Sequence, residues 1–109
     1  MSYEVKVVNS FKKDVKKLFK KYRSIKSDIL KLVERLEKDY TIGIDLGSNL
    51  YKVRLRNSDV GGKRGGYRII YYTRLANGSI YLLTIYSKNQ KESIDIKSLK
   101  PLVDKIEED

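Results

Sequence analysis

The chain predicts an α+β fold in which an antiparallel sheet packs on an N-terminal helical hairpin, in the order β-α-α-β-β-β-α. Three observations carry this reading. Apolar residues alternate with period two at the N-terminus and again from Leu50 to Tyr86. Between these stretches they recur twice at helical spacing. After the first strand, helices and strands are segregated rather than alternating, which points away from a parallel sheet. A length of 109 residues suits one domain, 1–109, with no repeat and no linker.

Tyr3, Val5 and Val7 alternate with Glu4 and Lys6, the pattern of a half-buried strand. Asn9 and Ser10 are expected as helix N-caps, since their side chains can accept from an unpaired backbone N–H. Phe11, Val15, Leu18, Phe19 and Tyr22 then form one helix face, with Lys12, Lys13, Lys16, Lys17, Lys20 and Lys21 on the other. The spacing restarts with Ile25, Ile29, Leu32, Val33 and Leu36, giving an αα-hairpin that ends near Asp39. Residues 42–49, with Gly43, Gly47, Ser48 and Asn49, read as a loop.

From Leu50, Tyr51, Val53 and Leu55 point one way and Lys52, Arg54 and Arg56 the other. The stretch 57–66 holds four glycines and reads as a flexible hairpin connection. Tyr67–Arg74 and Ile80–Tyr86, separated by Asn77-Gly78, are the expected central strands. Ile96, Leu99, Leu102, Val103 and Ile106 form a last helix. It tolerates Pro101 if Ser98 is the cap, and kinks there if Asp95 is.

Composition narrows the chemistry. The formal net charge is +10, from 24 basic and 14 acidic side chains, and polyanions are the partners such an excess favours. The excess is concentrated: residues 11–26 carry eight basic groups and one acid, and residues 49–91 carry nine basic groups with Asp59 the one acid. Residues 92–109 are acidic on balance, with six acids and three bases. Absence of cysteine removes disulfides, thiolate nucleophiles and cysteine metal sites. Absence of histidine removes the commonest metal ligand and the His-based relays. Chemistry here runs on Lys, Arg, Tyr and carboxylates, and no metal or small-molecule cofactor is expected. No signal-peptide layout opens the sequence and no apolar run approaches ~18 residues, so the expectation is a soluble, cytosolic protein without a membrane partner.

Lys52, Arg54 and Arg56, at i, i+2 and i+4 of one strand, share a face with about 6.6 Å between neighbours. Since Tyr51, Val53 and Leu55 suit the face under the hairpin, the cationic row is expected on the open face. Arg68 has the parity to join it together with Ile70, Tyr72 and Arg74. Lys63 and Arg64 lie in the glycine loop, and Lys88 follows the last strand. An open cationic sheet with Tyr71, Tyr72, Tyr81 and Tyr86 interleaved suits RNA, where cations contact phosphates and aromatic rings stack on bases. A merely solvated basic surface is the plainer reading, and it is the favoured one for the helix-one lysines. The glycine loop lacks the GxxxxGK[ST] spacing and opens no helix, which removes a nucleotide triphosphate site.

The segments Tyr51-Lys52-Val53-Arg54-Leu55-Arg56, Gly62 to Tyr72 and Tyr81 to Asn89 resemble the RelE/HigB family of bacterial toxins. The similarity is to the branch with a GKRGGxRxIYY…LLxIYxKN pattern, and length and element order agree as well. The resemblance implies an endoribonuclease that cuts mRNA, in most members at the ribosomal A site, and that is silenced by a cognate antitoxin. It places Lys52 and Arg54 at the two basic positions of the strand lining the active site, and Arg68 at the arginine that grips the scissile phosphate. The family's arginine past the last strand falls at Asn89, beside Lys88, and its C-terminal tyrosine near Asp95. These two departures leave the acid–base assignment open. In the implied reaction Arg68 stabilises the phosphorane. Lys52 is either the base or a plain phosphate-binding charge, and Lys88 or Tyr86 protonates the leaving group. Arg56, Lys63, Arg64, Tyr72 and Asn89 are the expected RNA contacts. Two rivals are a ParE-like gyrase inhibitor of the same architecture and a non-catalytic RNA-binding module.

Overall fold

The computed structural model describes residues 2–61, 66–90 and 93–108. Strand β1 (Glu4–Val7) leads into helices α1 (Asn9–Phe19) and α2 (Ile25–Lys38). Strands β2 (Ile44–Gly47), β3 (Leu50–Leu55), β4 (Tyr67–Arg74) and β5 (Ser79–Ser87) follow, and α3 (Lys100–Glu108) closes the order. The strands form one sheet in the spatial order β1-β5-β4-β3-β2. The α+β class and the hairpin-on-sheet packing are as the sequence predicts.

Several local expectations are corrected. Residues 42–49 are not all loop: Ile44–Gly47 is an edge strand antiparallel to β3. Ser48 and Asn49, at φ 53° and 65°, make the two-residue turn between them, a conformation that short polar side chains tolerate. β1 pairs with β5 in parallel, so one edge of the sheet departs from the antiparallel pattern. Neither Asn9 nor Ser10 caps α1. Val8 holds the cap position, and the Ser10 hydroxyl instead donates to the Leu83 carbonyl at 2.8 Å, tying α1 to β5. At the C-terminal side Asp95 is the cap, accepting from the Lys97 N–H at 3.0 Å. It opens a 3₁₀ turn, Ile96–Leu99, and Pro101 then falls in the first turn of α3, where a missing N–H costs no helical bond.

The hairpin face holds the larger core. Ile25, Leu32 and Leu36 are fully buried against Val53, Leu55, Ile69, Tyr71 and Leu82. Each such side chain contributes roughly 1.5–3 kcal/mol through burial. Asp14 anchors α1 to β5, accepting from the Thr84 hydroxyl at 2.9 Å and the Ile85 N–H at 3.3 Å. One extra residue in β5, Leu83, interrupts its register with β4, so Leu82 and Ile85 both reach the hairpin core. The opposite face is partly covered as well: α3 and its 3₁₀ turn bury Leu99 and Ile106 on Leu50, Ile70, Tyr72 and Leu83. That cover follows from the apolar stripe of the last helix, which needs a sheet face of its own.

Candidate nucleic-acid interface

Three strands bring the predicted basic residues into register. Arg54 of β3 lies opposite Arg68 of β4, which lies opposite Tyr86 of β5. Lys52 is paired with Ile70 one step along the same face, and with Ile44 of the edge strand β2. Lys52, Arg54 and Arg68 line a groove of about 380 Å³ together with Gly43, Ile44 and Arg35. Arg35, from α2, is a cation that nothing in the sequence assigns here, because on a helix it reads as one more solvated charge.

Arg68 is not the exposed residue that strand parity implies. It is 7% exposed, and its Nη1 donates to the Tyr67 carbonyl at 3.1 Å. Gly66 explains part of that fit. A Cβ there would stand 2.8 Å from the Leu55 carbonyl oxygen and 3.6 Å from Arg68 Nη1, so only glycine lets β3 and β4 close beside the guanidinium. Gly43 does the same beside Lys52, since a Cβ would lie 2.8 Å from the Lys52 carbonyl oxygen. Its N–H donates to the Tyr71 hydroxyl at 3.0 Å, and that hydroxyl donates to the Tyr40 carbonyl at 2.7 Å. Sequence reading missed the two glycines, since a glycine in a glycine-rich stretch carries no mark of a close approach, and it set Tyr71 among the RNA-facing aromatics instead of in this support.

Like charges directly opposite on a sheet repel, and burying a guanidinium without a counter-charge is costly. Among the described residues the ion pairs are Arg74–Glu107 at 3.6 Å and Lys100–Asp104 at 3.0 Å. Neither touches the groove. No carboxylate among the described residues pairs with these cations, and an anion seated there would relieve the repulsion. Tyr86 adds a proton donor to the same row. Its hydroxyl is enclosed and has no hydrogen-bond partner among the described residues. Burial pushes its pKa up, against the opposing pull of Arg68, so it keeps its proton at neutral pH.

The remaining expected site residues divide. Lys88 and Asn89 are exposed just past β5, and the Lys88 N–H donates to the Gly66 carbonyl at 3.3 Å, which sets this turn beside the start of β4. Arg56 is exposed just beyond β3. Lys63 and Arg64 lie outside the described residues. Tyr72 is withdrawn as an RNA contact: it is buried under α3, where its hydroxyl donates to Glu107. Tyr71 points to the hairpin core, so it too is lost to the cationic face. Among the described residues no group of acidic side chains comes together to hold a metal ion.

Fold and groove together define a class: a small α+β protein with a groove lined by cations at the sheet. Residues 8–105 match the family described as RelE toxin of the RelE/RelB toxin–antitoxin system, and the chain belongs to that family. Solved structures agree on the fold. A double arginine-to-alanine variant of Escherichia coli RelE in the free state superposes with a TM-score of 0.60 at 17% identity, covering 84% of this chain and 90% of that one. The archaeal RelE–RelB complex from Pyrococcus horikoshii gives 0.55 at 21% identity, over 84% of this chain and 100% of that one. The same E. coli variant bound to a peptide of the antitoxin RelB gives 0.56 at 14% identity, over 94% and 95%.

Proposed function

We propose that this chain is the toxin of a toxin–antitoxin pair and acts as an endoribonuclease on ribosome-bound mRNA, without a metal or other cofactor. The observation that carries the reading is the in-register row Arg54–Arg68–Tyr86 with Lys52 beside it, cations held together with no ion-pairing carboxylate among the described residues. A phosphodiester in the groove supplies the missing charge. The ribose 2′-oxygen attacks the adjacent phosphorus, the bond to the 5′-oxygen breaks, and the products are a 2′,3′-cyclic phosphate and a free 5′-hydroxyl. Arg68 holds the non-bridging oxygens as charge builds on them, a task suited to a fixed, always-charged fork. Lys52 takes the 2′-hydroxyl proton or holds the phosphate. The leaving oxygen receives its proton from Lys88, exposed just past β5, or from Tyr86. Arg54, opposite Arg68, adds a second charged donor to the phosphate, and Arg56 and Asn89 hold the flanking strand.

The partner is a cognate antitoxin. Two of the structural relatives are complexes with RelB or a RelB peptide, and a chain of net charge +10 favours an acidic binder. The direct test incubates the purified chain with programmed ribosomes and mRNA, and maps the new ends. The expected result is cleavage leaving 2′,3′-cyclic phosphate and 5′-hydroxyl termini, suppressed when the antitoxin is added. RNA binding without new ends, or inhibition of DNA gyrase in place of cleavage, would overturn the reading.

A further inference from the structure

The wall of the cationic groove beside Lys52 is held from behind, by a side chain in the hairpin core. Tyr71 of β4 is fully buried there, and its ring stacks on that of Tyr51, the residue opposite it on β3, with centroids 5.2 Å apart. The phenol reaches past β3 to the entry of β2. Its hydroxyl accepts from the Gly43 N–H at 3.0 Å and donates to the Tyr40 carbonyl at 2.7 Å. Gly43 is wedged between this oxygen and Lys52. A Cβ on it would stand 2.9 Å from the Tyr71 hydroxyl and 2.8 Å from the Lys52 carbonyl oxygen. One residue on, Ile44 pairs with Lys52, and Gly43 and Ile44 both line the groove.

The strand beside Lys52 has weak holds of its own. β2 is four residues long and exposed throughout, and its pairing with β3 is interrupted between Asp45 and Gly47. Arg68 lies on β4, braced by β3 and β5, whereas the outer neighbour of Lys52 is this short edge strand. Two hydrogen bonds through one buried oxygen therefore weigh heavily on where the strand sits. We propose that Tyr71 is a positioning residue for cleavage: acting through Gly43, it fixes the Lys52 backbone and the Gly43–Ile44 wall against the phosphodiester. The inference rests on the toxin reading and adds to it a residue that touches no RNA. Misplacing a reacting group by about 1 Å can cost 10²-fold in rate. Loss of the hydroxyl is thus felt in the chemical step, while RNA capture stays with the exposed cations Arg54, Arg56 and Lys88.

The test is single-turnover cleavage of ribosome-bound mRNA over a range of protein concentrations, which separates the maximal rate from the half-saturating concentration. Tyr71→Phe keeps the stacked ring and removes the hydroxyl. It should lower the maximal rate about tenfold, with half-saturation within about twofold of wild type. Hydrogen exchange at the backbone amides of β2 should quicken at least tenfold in the same variant. Ser10→Ala controls for general loosening, since it deletes a hydroxyl bound to the Leu83 carbonyl between α1 and β5, and its maximal rate should equal the wild type's. Gly43→Ala presses a Cβ on the Lys52 carbonyl and should reproduce the Y71F defect. The double variant Y71F/G43A should be no slower than G43A, because both act through one contact. Three results overturn this inference alone, given a wild type that cleaves: a native maximal rate in Y71F, a rate loss in S10A equal to that of Y71F, or defects of Y71F and G43A that multiply. If Y71F does not melt cooperatively, G43A decides, and a native rate there overturns the inference as well. Wild-type protein that cuts no mRNA overturns the toxin reading and this inference with it.

Discussion

The two faces of the sheet differ in the charge they carry: the Arg54–Arg68 pair lies on one and an apolar core on the other. Under the hairpin, the Tyr71 hydroxyl donates to one backbone group and accepts from another, and Asp14 accepts from two groups of β5, while the enclosed Tyr67 hydroxyl has no partner among the described residues. On the far side Arg68 is buried with no ion-pairing carboxylate among the described residues, Arg54 stands opposite it, and the Tyr86 hydroxyl is enclosed with no partner among those residues. Two guanidiniums opposed on adjacent strands, one of them buried, favour an anion on the far face. The far face is itself divided, since α3 covers Leu50, Ile70, Tyr72 and Leu83 and leaves the Lys52–Arg54 end open.

Removing both opposed arginines, R54A with R68A, should therefore reduce cleavage by about 10³-fold or more, because two charged donors to the phosphorane go together. The double variant should still fold, as shown by circular dichroism. The hairpin face should behave the other way. Leu32→Ala, at a fully buried position, should cost about 2–5 kcal/mol and lower the melting temperature by on the order of ten degrees. Its folded fraction should cut RNA at the native rate. A rate loss in L32A comparable to that of the arginine variants would erase the distinction between the faces.

Salt sharpens the same contrast. With Lys52, Arg54, Arg56 and Lys88 as the reachable cations, affinity for single-stranded RNA should fall about fiftyfold between 50 and 200 mM salt, reflecting roughly four released counterions. Titrations by fluorescence anisotropy at several salt concentrations would give the slope, and a flat response would remove the electrostatic premise. Gly66→Ala should slow cleavage on the order of ten- to a hundredfold by moving the strand pair that sets Arg68, while leaving RNA affinity nearly unchanged.

The smallest expected effect lies under α3. Tyr72→Phe removes the hydroxyl that donates to Glu107 and should cost about 1 kcal/mol. Burial first, and then the Glu107 hydrogen bond, push the Tyr72 pKa up to about 12, and burial does the same to Tyr71. A phenol whose folded pKa is raised keeps its proton in the fold and loses it sooner in the unfolded chain. Its contribution is complete below the ordinary tyrosine pKa near 10 and is lost as pH rises through about 12. Alkaline unfolding should begin above pH ~10 and be less steep in Y72F.

Much of this arrangement was legible in the residues. Period-two alternation from Leu50 put Lys52 and Arg54 on one face and Val53 and Leu55 on the other, which the two cores bear out. β2 escaped because four exposed residues with one β-branched side chain carry no strand signal. Parity placed Arg68 and Tyr72 on the correct face but could not tell that both are buried there. Burial depends on α3 returning over the sheet and on Gly66 permitting a close approach, and both are tertiary effects. The Leu83 insertion in β5 likewise shifts which side chains face the hairpin, and a run of apolar residues hides it.

The central claim is that cleavage is performed on the sheet face opposite the hairpin, with Arg68 at its centre. Single-turnover cleavage of ribosome-bound mRNA by Arg68→Ala, measured beside its thermal melt, tests it most directly. The expected result is a rate lower by about 10²–10³-fold in a protein that still melts cooperatively. A near-native rate in the folded R68A protein would place the chemistry elsewhere.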